Sequence, residues 1–163
     1  MVLAPGSKEE GLLSYTLGAD GSGIKLLYRP MGGSKMPLTP ESCGAAPMWF
    51  MQMEGKPVFK WAVSLLETTF RQVLDEQGRS FADVKYWLLH QANERILDAA
   101  MKGLGIPPER IVKHLDRYGN TSAGSIPIAL DETYRTGAIT AGDQLILCGF
   151  GAGLSWGTLL WRW

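Results

Sequence analysis

Cysteine is scarce in this chain: Cys43 and Cys148 are the only two among 163 residues. They lie far apart and match neither a disulfide framework nor a metal-ligand spacing, which is the pattern of a reducing compartment and predicts no metal site. Neither charge sign dominates, since sixteen Lys and Arg balance sixteen Asp and Glu. No net field therefore gathers nucleic acid or an anionic membrane. No apolar run approaches the roughly 20 residues that cross a bilayer. The N-terminus also lacks the basic and apolar regions of a signal peptide, so the Asn120-Thr121-Ser122 sequon reads as a coincidence. Internal repeats and low-complexity tracts are missing too.

What is present is enough chain for one domain with a substantial core, and twenty glycines gathered in loops. Residues 1–46 are irregular: an apolar start Met1–Ala4, a strand from Gly11 to Leu17, a second over Ile24–Tyr28, and a Pro-, Gly- and Ser-rich loop to about Pro47. From Met48 the pattern tightens. Met48–Met53 suggests a strand, and Val58, Trp61, Ala62, Leu65, Leu66, Phe70 and Val73 mark one face of a helix from Gly55 to about Gln77. Val84–Leu89 reads as a buried strand, Asn93–Lys102 as a helix stopped by Gly103, and Ile111–Leu115 as a further strand after a turn at Pro107-Pro108. A helix over Ser122–Thr136 precedes strands at Gln144–Phe150 and Leu154–Trp163, the last two an antiparallel pair. Strands alternating with helices predict a layered α/β sheet.

Three junctions end predicted strands in polar or glycine-rich chain: His90-Gln91-Ala92-Asn93, Tyr118-Gly119-Asn120-Thr121-Ser122 and Gly149-Phe150-Gly151-Ala152-Gly153. That edge is where open α/β sheets collect ligands. A neutral imidazole and a carboxamide can each donate to one oxygen, which suits an oxygen gaining negative charge, such as an enolate. Each junction also has a plainer reading: His90 as a strand cap, Asn120 as a helix N-cap, the glycines as a tight hairpin. The glycine turn is no nucleotide loop, because G-x-G-x-x-G from Gly149 meets Leu154 and no Gly-Lys-Ser/Thr ending follows. His114 and Cys148 read as structural residues, and Cys43 has no activating base nearby in sequence.

Taken in order, Leu17-Gly-Ala-Asp-Gly-Ser22, Met31-Gly-Gly-Ser34, Met53-Glu-Gly-Lys-Pro-Val-Phe-Lys60, His90-Gln-Ala-Asn93, Asp116-Arg-Tyr-Gly-Asn-Thr-Ser122 and Gly149-Phe-Gly-Ala-Gly-Leu-Ser-Trp-Gly157 resemble the C-terminal half of β-ketoacyl-acyl carrier protein synthase III, of the thiolase superfamily. The resemblance runs essentially end to end. It implies a thiolase-like half at residues 47–163, a five-stranded mixed sheet with flanking helices, preceded at 1–46 by closing strands and linker of an N-terminal half. It also implies a decarboxylating condensation of acyl-CoA with malonyl-acyl carrier protein and no cofactor. His90 and Asn120 would be two members of a Cys-His-Asn triad, and the Ala152 backbone N–H half of an oxyanion hole. Gly55, Phe59 and Asn93 match positions that line a pantetheine tunnel for the CoA thioester; Arg95 and Lys102 match positions that receive the acidic carrier protein. The family's nucleophilic cysteine belongs to the other half, so neither Cys43 nor Cys148 falls in its motif, and this chain alone is expected to be inactive. The N-terminal half would be its partner, the intact enzyme a homodimer, and the compartment the cytoplasm or a plastid stroma. A lone half should expose a large apolar face. Two other readings stand beside this one: a non-catalytic module that docks carrier protein or a partner half, and half of a related polyketide- or quinolone-type synthase.

Overall fold

The computed structural model describes residues 5–7, 9–44 and 46–163; the expected apolar start at Met1–Ala4 lies outside the described residues. A four-stranded mixed sheet runs in the order β1 (Gly11–Ala19), β6 (Ser155–Arg162), β5 (Gln144–Gly151), β4 (Val84–Leu89). β4 and β5 are parallel, whereas β6 is antiparallel to both β5 and β1. A small separate pair, β2 (Leu27–Tyr28) with β3 (Gln52–Met53), forms an arm beside the sheet.

One face of the sheet is covered by α1 (Gly55–Asp75) and α2 (Glu94–Leu104). α1 keeps its apolar stripe at helical spacing: Val58, Ala62, Leu65, Leu66, Phe70 and Val73 are all buried. Ala62, Leu66, Phe70 and Val73 pack with Trp87, Ile146 and Leu160 from three neighbouring strands. On the other face α4 (Ser125–Arg135) sets Ala129 against Leu88 and Leu145. β4 is covered on both sides, which is why Trp87, Leu88 and Leu89 form a continuous apolar run rather than an alternating one.

Several expected elements differ. The Met48–Met53 strand is a 3-10 turn, Ala46–Trp49, followed by the two residues of β3, and the Ile24–Tyr28 strand shrinks to Leu27–Tyr28. The Ile111–Leu115 strand survives as a single parallel bridge from Ile111 to Trp87, so the fifth strand of the expected sheet is one bridge long. Its chain is instead drawn into α3 (Leu115–Tyr118). α2 runs through Gly103 to Leu104 and stops at Gly105, whose φ of 67° supplies the left-handed C-cap. The Ser122 helix begins as a 3-10 turn, Ser122–Gly124, before α4.

The expected boundary at residue 47 does not coincide with a break in the sheet, because β1 pairs with β6 along its length. The Ser14 hydroxyl donates to the Val73 carbonyl at 2.6 Å, which ties β1 to the end of α1. Beyond β1, Asp20 and Leu154 exchange both backbone hydrogen bonds, at 2.8 and 2.9 Å. The tip of the β5–β6 hairpin is thereby pinned to the end of β1. Apolar side chains remain uncovered along this side: Leu17, Phe50, Met51 and Met53 are each more than 60% exposed.

Gly18 lies directly against the indole of Trp156, with no room for a methyl group. Gly18→Ala should therefore cost about 1–3 kcal/mol through overpacking. Gly33, whose added carbon meets nothing within 4 Å, should tolerate the same change, and urea midpoints of the two variants make the comparison.

Candidate functional site

The parallel register sets Leu89 opposite Cys148, so β4 and β5 end side by side. His90 follows β4 and donates its backbone N–H to the Cys148 carbonyl at 2.8 Å, which extends the ladder by one residue. Its imidazole stands on the sheet rim, edge-on to Phe150 with centroids 5.4 Å apart. Nδ1 lies 3.2 Å from the Ser125 hydroxyl. Partial burial disfavours the charged ring and holds its pKa below the ordinary 6.5, against a smaller opposing contribution from the Ser122 backbone. At pH 7 His90 is neutral, with one N–H to donate.

Gln91, next in the chain, is fully buried and structural. Its amide donates to the carbonyls of Leu89 and Val112 at 3.0 and 3.1 Å, and its oxygen accepts the His114 backbone N–H at 3.3 Å. The α3 segment is thereby stapled to the end of β4. His114 is also buried; its Nε2 donates to the Ser125 carbonyl at 2.8 Å, and its ring meets Tyr118 edge-on.

Asn120 reaches the same rim from the end of α3, after Gly119 at φ 67°. Its side-chain oxygen accepts the Ser122 N–H at 2.9 Å in an Asx turn, and it caps neither α4 nor the 3-10 turn, whose N-cap is Thr121. That bond consumes the acceptor and leaves the amide group as the free end. Ser122 sits at φ 51°, a rare conformation for a residue with a side chain. Ala152 occupies the hairpin tip; its carbonyl accepts from the Ser155 hydroxyl at 2.9 Å, and no described residue accepts from its N–H.

His90, Asn120 and Ala152 line one cavity of about 550 Å³, together with Phe150, Trp156 and Met51. No charged side chain is among the residues that line it. Three neutral donors around an uncharged, largely apolar space are suited to an oxygen that acquires negative charge during a reaction. A second cavity of about 600 Å³ gathers Gly55, Phe59, Asn93 and Arg95. Two further lysines border it, Lys56 and Lys60, which the sequence reading passed over although they stand one helical turn apart beside Phe59. Asn93 caps α2 through the Arg95 N–H at 2.9 Å. Lys102 lies outside this cavity, exposed, two turns along α2 from Arg95.

Cys148 is buried beside Thr158, 3.0 Å from its hydroxyl, and burial pushes its thiol up to about 12. It lines neither cavity and is no nucleophile. The Cys43 side chain lies outside those described. Among the described residues no three His, Cys, Asp or Glu side chains cluster as a metal site, and no helix is long and apolar enough to cross a membrane.

The family model for the 3-oxoacyl-[acyl-carrier-protein (ACP)] synthase III C terminal matches residues 74–163. The chain is 47% identical over 154 residues to β-ketoacyl-[acyl-carrier-protein] synthase III of Rhodopirellula baltica, covering 94% of this chain and 44% of that protein. It is 46% identical over 162 residues to the protein of that name from Symbiobacterium thermophilum, covering 99% and 49%. The crystal structure of β-ketoacyl-[acyl carrier protein] synthase III from Thermus thermophilus superposes with a TM-score of 0.83 at 38% identity, over 96% of this chain and 47% of that one. The chain thus spans about half the length of the relatives it matches.

The half-buried, neutral His90 has a consequence for stability. As pH falls below 6.5 the unfolded chain takes up the proton first, because the folded-state pKa is lower. Stability contributed by neutral His90 is complete above 6.5 and declines as pH falls toward the lower folded value. NMR titration should place the His90 midpoint below 6.5, and His90→Asn should reduce the loss of urea resistance over that window.

Proposed function

This chain belongs to the β-ketoacyl-[acyl-carrier-protein] synthase III family, and we propose that it is the half of a condensing enzyme that binds the malonyl thioester and holds its enolate. One observation carries the reading: His90, Asn120 and Ala152, each with a neutral hydrogen-bond donor, line one cavity that no charged side chain lines. The acyl group would arrive from acyl-CoA onto a cysteine thiolate of the other half. In the second stage His90 and Asn120 donate to the thioester oxygen of malonyl-carrier protein. The bond between the α-carbon and the carboxylate breaks, carbon dioxide leaves, and the electron pair becomes the enolate on that oxygen. The α-carbon then attacks the acyl thioester carbonyl, and the new oxyanion is met by the Ala152 N–H. Its collapse expels the cysteine thiolate and yields the 3-oxoacyl-carrier protein. No metal or cofactor is needed to balance these steps.

Gly55, Phe59 and Asn93 would hold the pantetheine arm shared by CoA and carrier protein. Arg95 and Lys102, joined by Lys56 and Lys60, would present a cationic face to the acidic carrier protein. We take the boundary between halves to lie near Gly11 rather than at residue 47, a reading supported by the pairing of β1 with β6. The uncovered Phe50, Met51 and Met53 would pack against the cysteine-bearing half, the intact enzyme would be a homodimer, and the compartment the cytoplasm.

Incubated with radiolabelled acetyl-CoA, this chain alone should retain no covalent label. Label that disappears when Cys43 or Cys148 is mutated would overturn the assignment of the nucleophile to the other half. Charge reversal, as Arg95→Glu or Lys102→Glu, should weaken carrier-protein binding several-fold, with the loss greatest at low ionic strength. Titration calorimetry reads that difference, and unchanged affinity in both variants would remove the carrier protein from this face.

A further inference from the structure

Ser125 opens α4 and is fully buried, yet it was no part of any motif read from the sequence. Its two oxygens hold the two histidines of the chain in different ways. The carbonyl can only accept, so it fixes the proton of His114 on Nε2, at 2.8 Å. The hydroxyl, 3.2 Å from His90 Nδ1, can either donate or accept. Behind it stands a second hydroxyl, Thr121 Oγ1, at 3.3 Å. Two hydrogen-bond directions are therefore complete within this chain of hydroxyls, beside the smaller contribution of the Ser122 backbone. Thr121 can donate to Ser125 and Ser125 to Nδ1, leaving the His90 proton on Nε2. Alternatively, Nδ1–H can donate to Ser125 and Ser125 to Thr121, leaving Nε2 as an acceptor.

We propose that Ser125 is the positioning residue of His90, holding the imidazole through Nδ1 with a hydroxyl that lets the proton sit on either ring nitrogen. A carboxylate or carbonyl in that place would impose Nδ1–H, as the Ser125 carbonyl imposes Nε2–H on His114. The consequence rests on the function proposed above. A histidine that donates to a thioester oxygen in one stage is left free, by a partner indifferent to the direction of the bond, to accept a proton in another. Ser125 touches no reacting atom in this scheme and acts only through His90.

The test uses this chain labelled with nitrogen-15 at histidine, where the two ring systems act as control for one another. In Ser125→Ala the hydroxyl is lost and the carbonyl kept. The Nδ1 resonance of His90 should shift while both nitrogens of His114 stay where they were. Thr121→Val, at a half-buried site that leaves Ser125 in place, should shift His90 in the same direction by less. An unmoved His90 in Ser125→Ala would overturn the proposal. So would His90 and His114 moving together, which would mark Ser125 as a packing residue of the helix start. Because these spectra are read without turnover, they stand or fall separately from the condensing-enzyme reading.

Discussion

The parallel pairing of β4 with β5 is the constraint on which the rest depends. Parallel strands point their C-terminal ends the same way, so His90 after β4 and Phe150 near the end of β5 emerge side by side on one rim. The remaining pieces are brought to that rim by polar ties rather than by apolar packing. Gln91 staples the α3 segment to the end of β4, which delivers Asn120. The Asp20–Leu154 backbone pair pins the hairpin tip, which delivers Ala152. The buried Gln91 amide pairs backbone groups that would otherwise go unsatisfied, so the site and the fold are stabilised by the same bonds.

The chemistry of the rim follows from what it leaves out. No charged side chain lines the cavity, so on the proposed reading a negative charge developing there would meet the neutral donors of His90, Asn120 and the Ala152 backbone and no competing ion. Partial burial does the same for His90 by disfavouring its charged form. The cations are kept apart, around the second cavity at the start of α1 and α2, where they can attract an anionic partner without disturbing the donor site.

Much of this was legible in the sequence where one physical signal dominated. The α1 stripe of Val58, Ala62, Leu65, Leu66, Phe70 and Val73 and the unbroken run Val84–Leu89 report burial, and both elements are where periodicity placed them. His90 and Asn120 were named from polar residues following predicted strands and Ala152 from the family resemblance, and all three line one cavity. The failures lie where tertiary pairing decides. Met48–Met53 has the composition of a strand but finds only the two residues of β2 to pair with, and Ile111–Leu115 reaches β4 through a single bridge before Gln91 takes over the contact. Gly103 was read as a helix stop, yet a glycine ends a helix only where the chain turns left-handed, and that happens at Gly105. Ser125 was legible only as one of the small residues, with Ala123, Gly124 and Ala129, that let this helix pack closely, because a small polar residue at a helix start looks the same whether it faces solvent or a histidine.

The central claim is that His90 and Asn120 together stabilise an enolate formed by loss of carbon dioxide. Release of labelled carbon dioxide from carboxyl-labelled malonyl-carrier protein tests it most directly, with this chain assembled on the cysteine-bearing half of a relative. The assembly should release the label, and His90→Ala and Asn120→Ala should each reduce that release about 100-fold or more. Undiminished release in either variant would contradict the claim.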